Sequence, residues 1–121
     1  MKVVCRRVEQ DGAGAVAWLT VGREYVVLSV VATADRGVSF RLLDNEGPGP
    51  SLWAADLFEV TSAAISREWT AALNDRGTLM LAPSSWQHAG FWEDYFDGVP
   101  EAVTAFEAEV KAILAQETDR P

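Results

Sequence analysis

The chain has almost none of the residues from which metal centres and redox sites are built: one cysteine, Cys5, and one histidine, His88, among 121 residues. A lone cysteine closes no disulfide within the chain and anchors no metal cluster, so Cys5 is expected as a small buried hydrophobe. His88 has no second histidine or cysteine near it, and its neighbours Gln87, Ala89 and Gly90 read as loop. A hydrogen-bonding loop histidine is the expectation. No Gly-x-Ser-x-Gly elbow accompanies Ser84 and Ser85, which removes one familiar setting for a serine nucleophile. Gly12, Gly14, Gly47 and Gly49 fit no phosphate-loop or dinucleotide pattern and read as turn residues. No apolar run approaches the roughly 20 residues of a membrane-spanning helix. At the start, Lys2 is followed by Val3, Val4 and Cys5 before Arg6 and Arg7, which is not the pattern of a secretory leader. These absences point to a cytoplasmic protein that is not an enzyme and takes no cofactor and no metal.

Bases are also scarce. Ten Lys and Arg stand against 18 Asp and Glu, a net charge of −8. Such a chain lacks the basic patch that binding to nucleic-acid backbone requires, and anionic membranes would repel it. The deficit is uneven. Residues 1–60 carry six bases and eight acids; residues 61–121 carry four bases and ten acids. Residues 91–110 hold six acids and no base at all.

What is present reads as one domain of 121 residues, residues 1–82 mostly β and 83–116 helical. An apolar share of 49% and a charged share of 23% fit an ordinary globular core, with disorder expected only at 116–121. Residues 2–8 read as a strand. Residues 23–32 form one long β-branched run, and Val38, Phe40 and Leu42 alternate with polar neighbours as a half-buried strand does. Asp35-Arg36-Gly37 joins these two as a turn, and residues 44–50, rich in glycine and proline, break regular structure. Short strands over 51–54 and 57–60 flank a kink near Ala55-Asp56. Residues 68–73 place Trp69, Ala71 and Leu73 on one face, and Asn74-Asp75-Arg76-Gly77 turns the chain back into 78–81. Residues 83–86 suit a short 3₁₀ turn, and 91–96 one or two helical turns ended by Gly98. Pro100 then opens an amphipathic helix whose apolar stripe is Val99, Val103, Phe106, Val110, Ile113 and Leu114. The expected class is α+β: a small, strongly bent antiparallel sheet or barrel with a C-terminal amphipathic helix.

The segments Leu19-Thr20-Val21-Gly22-Arg23-Glu24-Tyr25-Val26-Val27-Leu28, Phe40-Arg41-Leu42-Leu43-Asp44 and Leu57-Phe58-Glu59-Val60 resemble a small bacterial SH3-like β-barrel. The resemblance covers about residues 18–60 and implies a barrel. Residues 86–106 resemble small bacterial proteins of unassigned function, and in class and short acidic composition the chain is similar to some immunity proteins of bacterial toxin systems. This likeness carries over no family site residues.

The candidate site follows from Phe91-Trp92-Glu93-Asp94-Tyr95-Phe96-Asp97-Gly98, four rings and three carboxylates in eight positions. Helical spacing pairs Phe91 with Tyr95 and Trp92 with Phe96. Rings facing inward and carboxylates facing water would make an anchor on one side and an acidic surface on the other. Without further ligands Glu93, Asp94 and Asp97 do not satisfy a hard cation. They suit a basic protein partner, steered by charge and held by aromatics. The expected partner-binding residues are Trp92, Glu93, Asp94, Tyr95, Asp97 and Glu101. A second reading is an SH3-like structural or regulatory domain binding a peptide or assembly through Asp44, Glu46, Trp53 and Asp56 on loops.

Overall fold

Strands occupy the chain as far as Pro83 and helices follow. The computed structural model describes residues 1–8, 18–43, 45 and 50–118. Within them lie β1 (Lys2–Cys5), β2 (Glu24–Val26), β3 (Ser29–Thr33), β4 (Gly37–Leu43), β5 (Pro50–Ala54), β6 (Phe58–Ser62), β7 (Trp69–Leu73) and β8 (Leu79–Pro83). The helices are α1 (Phe91–Phe96) and α2 (Pro100–Thr118). Short 3₁₀ turns at Ala55–Leu57 and Ser84–Trp86 take the expected places of the kink and of the turn after β8.

The class is α+β, as expected, with two antiparallel sheets. One has three strands in the order β2-β1-β6, the other five in the order β5-β4-β3-β8-β7. Each sheet keeps two edge strands, so among the described residues the sheets do not close into one barrel. A first core, including Val3, Cys5, Tyr25, Val27, Phe40 and Leu42, gathers side chains from both sheets. A second, including Leu28, Ala82, Trp86, Phe91, Phe106 and Ile113, joins the five-stranded sheet to the helices.

The long run 23–32 is not one strand. Glu24–Val26 pairs with β1, whereas Ser29–Thr33 pairs with β4 and β8. The alternation of a strand explains the break. Tyr25 and Val27 enter the first core, while Val26 and Leu28 pack on the second. The Val27 N–H donates to Met1 O at 3.0 Å and the Leu28 N–H to Arg41 O at 2.8 Å. Adjacent residues thus transfer the chain from one sheet to the other.

β4 alternates from Phe40 onward: Phe40 and Leu42 are buried in the first core, and Arg41, on the opposite face, reaches the helical layer, whereas Val38, expected on the buried face, is exposed. The hairpin after β7 is made by side-chain chemistry. Asn74 Oδ1 accepts the Arg76 and Thr78 N–H groups at 2.9 and 3.0 Å, and Gly77 supplies φ +79°. The shared face of Trp69, Ala71 and Leu73 is buried only partly. Trp69 packs on the first core, but Ala71 and Leu73 are exposed because β7 ends the sheet.

α2 buries a stripe rotated from the expected one: Ala102, Phe106, Val110 and Ile113, continued by Gln116 and Glu117. Val103 is half-buried and Leu114 exposed. The two polar residues are held in place. Gln116 Oε1 accepts Ser66 Oγ–H at 3.0 Å and the Arg67 N–H at 2.9 Å, and Glu117 takes the Met1 ammonium at 2.6 Å. Residues 116–118, expected to be disordered, are therefore the anchored last turn; 119–121 lie outside the described residues.

Candidate functional site

α1 begins beside Gly90 and ends in a tight hydrogen-bonded cap. The Val99 N–H reaches back to Asp94 O at 2.9 Å and the Gly98 N–H to Tyr95 O at 3.0 Å, with Gly98 at φ +79°. This is the six-to-one and five-to-two pairing of a Schellman motif, and it fixes the angle between α1 and α2. Phe91 is the pin: its ring is buried against the second core.

The other rings form a stack that fades towards solvent. Trp86 stacks on Phe106 with centroids 5.0 Å apart, and Trp92 meets the Trp86 ring edge-on at 5.7 Å. Tyr95 lies 4.6 Å from Phe106 and 5.1 Å from Phe96. Trp92 and Tyr95 are half-buried, and Phe96 is 56% exposed. Edge-to-face contacts of this kind add to area burial, so the outermost ring sits on a rigid base. Tyr95 has its phenol pKa pushed up, first by burial and then by the nearby Glu107 carboxylate.

Arg41 lies beneath this stack. Its guanidinium is 3.9 Å from the Trp92 ring centroid and donates to Pro50 O at 3.3 Å. Burial pulls its pKa down to about 10, which leaves it charged at neutral pH. It forms no ion pair among the described residues. Sequence reading missed Arg41, although its odd place in the β4 alternation marked it as facing away from the first core.

The carboxylates face outward as expected: Glu93, Asp94, Asp97 and Glu101 are all exposed. Asp94 and Glu101 also line a small cavity of about 130 Å³ with Ser85 and His88. The cavity holds serine, histidine and acid without the geometry of a triad. Ser85 Oγ is buried with no hydrogen-bond partner, and the His88 ring contacts Ala89 O at 3.3 Å and the edge of Phe91. Cys5 is buried in the first core, and burial pushes its thiol pKa up, away from a reactive thiolate. Among the described residues no group of three or more potential ligands is placed to hold a metal ion.

No family model, curated protein or solved structure matches this chain. The site therefore stands on its own geometry. Of the first six predicted residues, the structure brings all into one region: two half-buried rings and four exposed acids around α1 and the start of α2. Phe96, the most exposed ring there, was in the segment but not among the predicted site residues; its place one step past Tyr95 on α1 turns it outward. The second set does not assemble so clearly. Asp56 is paired with Arg7 at 3.2 Å, and Trp53 is half-buried edge-on to Trp18 with centroids 6.5 Å apart. Asp44 and Glu46 lie outside the described residues. Among the described residues no helix is long and apolar enough to cross a membrane.

Proposed function

We propose that this chain is a non-catalytic module that captures a basic protein through the acidic shoulder formed by α1 and the first turn of α2. The observation that carries the reading is the exposed Phe96 ring standing among Glu93, Asp94, Asp97 and Glu101 on a helix pinned by buried Phe91. An apolar anchor ringed by charge of one sign is the arrangement that gives both steering and a hot spot. The base-free stretch 91–110 removes internal competition for those carboxylates.

In its concrete form the module is an immunity protein acting in the cytoplasm on a bacterial toxin whose groove is basic, such as a nuclease. The carboxylates occupy the places of substrate phosphates, and Phe96, with the rims of Trp92 and Tyr95, fills an apolar hollow between them. The SH3-like alternative, a peptide or assembly bound by loops around Asp44, Glu46, Trp53 and Asp56, receives less support, since Asp56 is engaged by Arg7 and Trp53 by Trp18.

The test is binding to the protein captured by this chain from its native cells, measured by calorimetry across a salt series. The expected outcome is affinity that falls steeply with salt. Phe96→Ala should weaken binding ~10-fold or more, the scale of a hot-spot residue. Changing Glu93, Asp94 and Asp97 together to alanine should weaken it and flatten the salt dependence. Affinity unmoved by both variants, with circular dichroism unchanged, defeats the proposal.

A further inference from the structure

Arg41 puts a cation where an apolar side chain would fill the same space without desolvating a charge. It stands on β4 facing the helical layer, half-buried, and forms no ion pair among the described residues. Its contacts are directional instead. The guanidinium lies over the Trp92 ring, 3.9 Å from the centroid, and donates to Pro50 O at 3.3 Å. A planar, weakly hydrated guanidinium stacks on a ring and donates hydrogen bonds in its own plane at once; an ammonium has no such plane.

α1 depends on contacts of this kind. With six residues it is too short to hold its own place, so tertiary contacts must set it. The Schellman cap sets its angle to α2, and buried Phe91 pins its start. Trp92, one residue on and about 100° round the helix, supplies a second bearing that fixes the roll of α1 about its own axis. Trp86 and Phe106 meet the Trp92 ring at 64° and 69°, whereas Arg41 closes over its face. Phe96 follows one turn later on the same side of the helix, with its centroid 6.1 Å from that of Trp92. The setting of Trp92 therefore decides where the exposed Phe96 ring points.

We infer that Arg41 is a positioning residue for the acidic shoulder: clamped over Trp92, it fixes the roll of α1 and so the direction in which Phe96 meets its partner, resting on the capture of a basic protein proposed above. Arg41 itself touches no partner in this arrangement. Its charge has a use here that stability does not explain, since exchanging a buried charge for a well-packed apolar side chain is commonly neutral or stabilising.

Two variants separate positioning from plain packing. Arg41→Lys keeps the charge and loses the stack; Arg41→Met keeps the apolar packing and loses the charge. The full chain labelled with 5-fluorotryptophan has five ¹⁹F reporters, and Trp92→Phe assigns the line of Trp92. In both variants that line should broaden or split as the ring samples other settings, while urea unfolding of Arg41→Met shows no loss of stability. Affinity for the basic protein captured in the salt series should fall about fivefold or more with Arg41→Lys, at an unchanged salt slope because the charge is kept. In a Phe96→Ala background Arg41→Lys should cost nothing further, because the ring it aims is gone. A sharp Trp92 line in both variants overturns the inference. So does an affinity that Phe96→Ala lowers and Arg41→Lys does not, an outcome that leaves the capture reading standing. An equal loss in the Phe96→Ala background also overturns it, since Arg41 then acts by a route other than Phe96. Indifference to Phe96→Ala and to the triple alanine variant overturns the capture reading and the inference with it.

Discussion

Glu109 carries a charge that its surroundings disfavour. It lies on α2 beside Glu68, and its pKa is raised by burial first, then by a hydrogen bond with Glu68 and by that neighbour's charge. Gln116 Nε2 donates to Glu68 Oε1 at 3.3 Å, so the amide offers Glu68 a partner while Glu109 Oε2 has none. The folded state holds a proton here that the unfolded chain gives up at ordinary carboxylate pH. The contribution to stability is therefore full below the unfolded value and is lost as pH rises through the raised folded value. Glu109→Gln should raise the melting temperature at neutral pH and flatten its dependence on pH between the ordinary and raised values, as followed by thermal melts in a buffer series. An unchanged melting profile contradicts this coupling. Neither Glu109 nor Arg41 was legible as buried from the sequence. Each sits beside a partner more than 40 residues away, Glu68 and Trp92, and local pattern carries no record of such neighbours. The acids of α1 were legible because their exposure follows from helical spacing alone.

At the scale of elements, local chemistry was the reliable guide. Gly98, Pro100, the Asn74-Asp75-Arg76-Gly77 turn and the breaks around Ala55 and Ser84 all fall where their side chains or φ preferences require. Gly98 is the most consequential. A side chain there meets no atom within 4 Å, so the cost of substituting it is purely conformational. Gly98→Ala should destabilise the protein by about 1–2 kcal/mol, the penalty for an L-residue held at left-handed φ, measured by urea unfolding. Gly98→Asn should cost less, because asparagine tolerates that region. A loss no larger for alanine than for asparagine would show that left-handed φ at residue 98 is not what the substitution costs. The elements read less well were those decided by tertiary partners. The run at 23–32 looked like one strand because all its residues are β-formers; only the presence of two cores divides it. The α2 stripe turned because Ala102, not Val103, faces Trp86 and Phe91, and small residues give a weak signal in any hydrophobic pattern.

For the molecule as a whole, class and order of elements were legible, but closure was not. The SH3-like segments formed strands, yet β2 and β3 belong to different sheets, and no sequence period distinguishes a barrel from two sheets sharing a strand run. The pairing of Met1 with Glu117 joins the first described residue to the last helix across 116 positions. With so many distant pairings, the chain should unfold as one unit. Tryptophan fluorescence, which reports Trp53 and Trp69 on the first core together with Trp86 and Trp92 on the second, and far-UV circular dichroism, weighted to the whole backbone, should give superimposable denaturant curves. Two separated transitions would mean the cores are independent. The reason to expect one lies in residues 25–28, whose alternate side chains belong to alternate cores. Those four residues act as a seam rather than a linker. A protein built this way cannot be divided into interchangeable modules: a backbone cut between Val27 and Leu28 would leave each fragment missing a wall of its own interior. Recombination, splitting for complementation, or grafting of one half onto a foreign scaffold must therefore carry the seam intact or replace both sides of it.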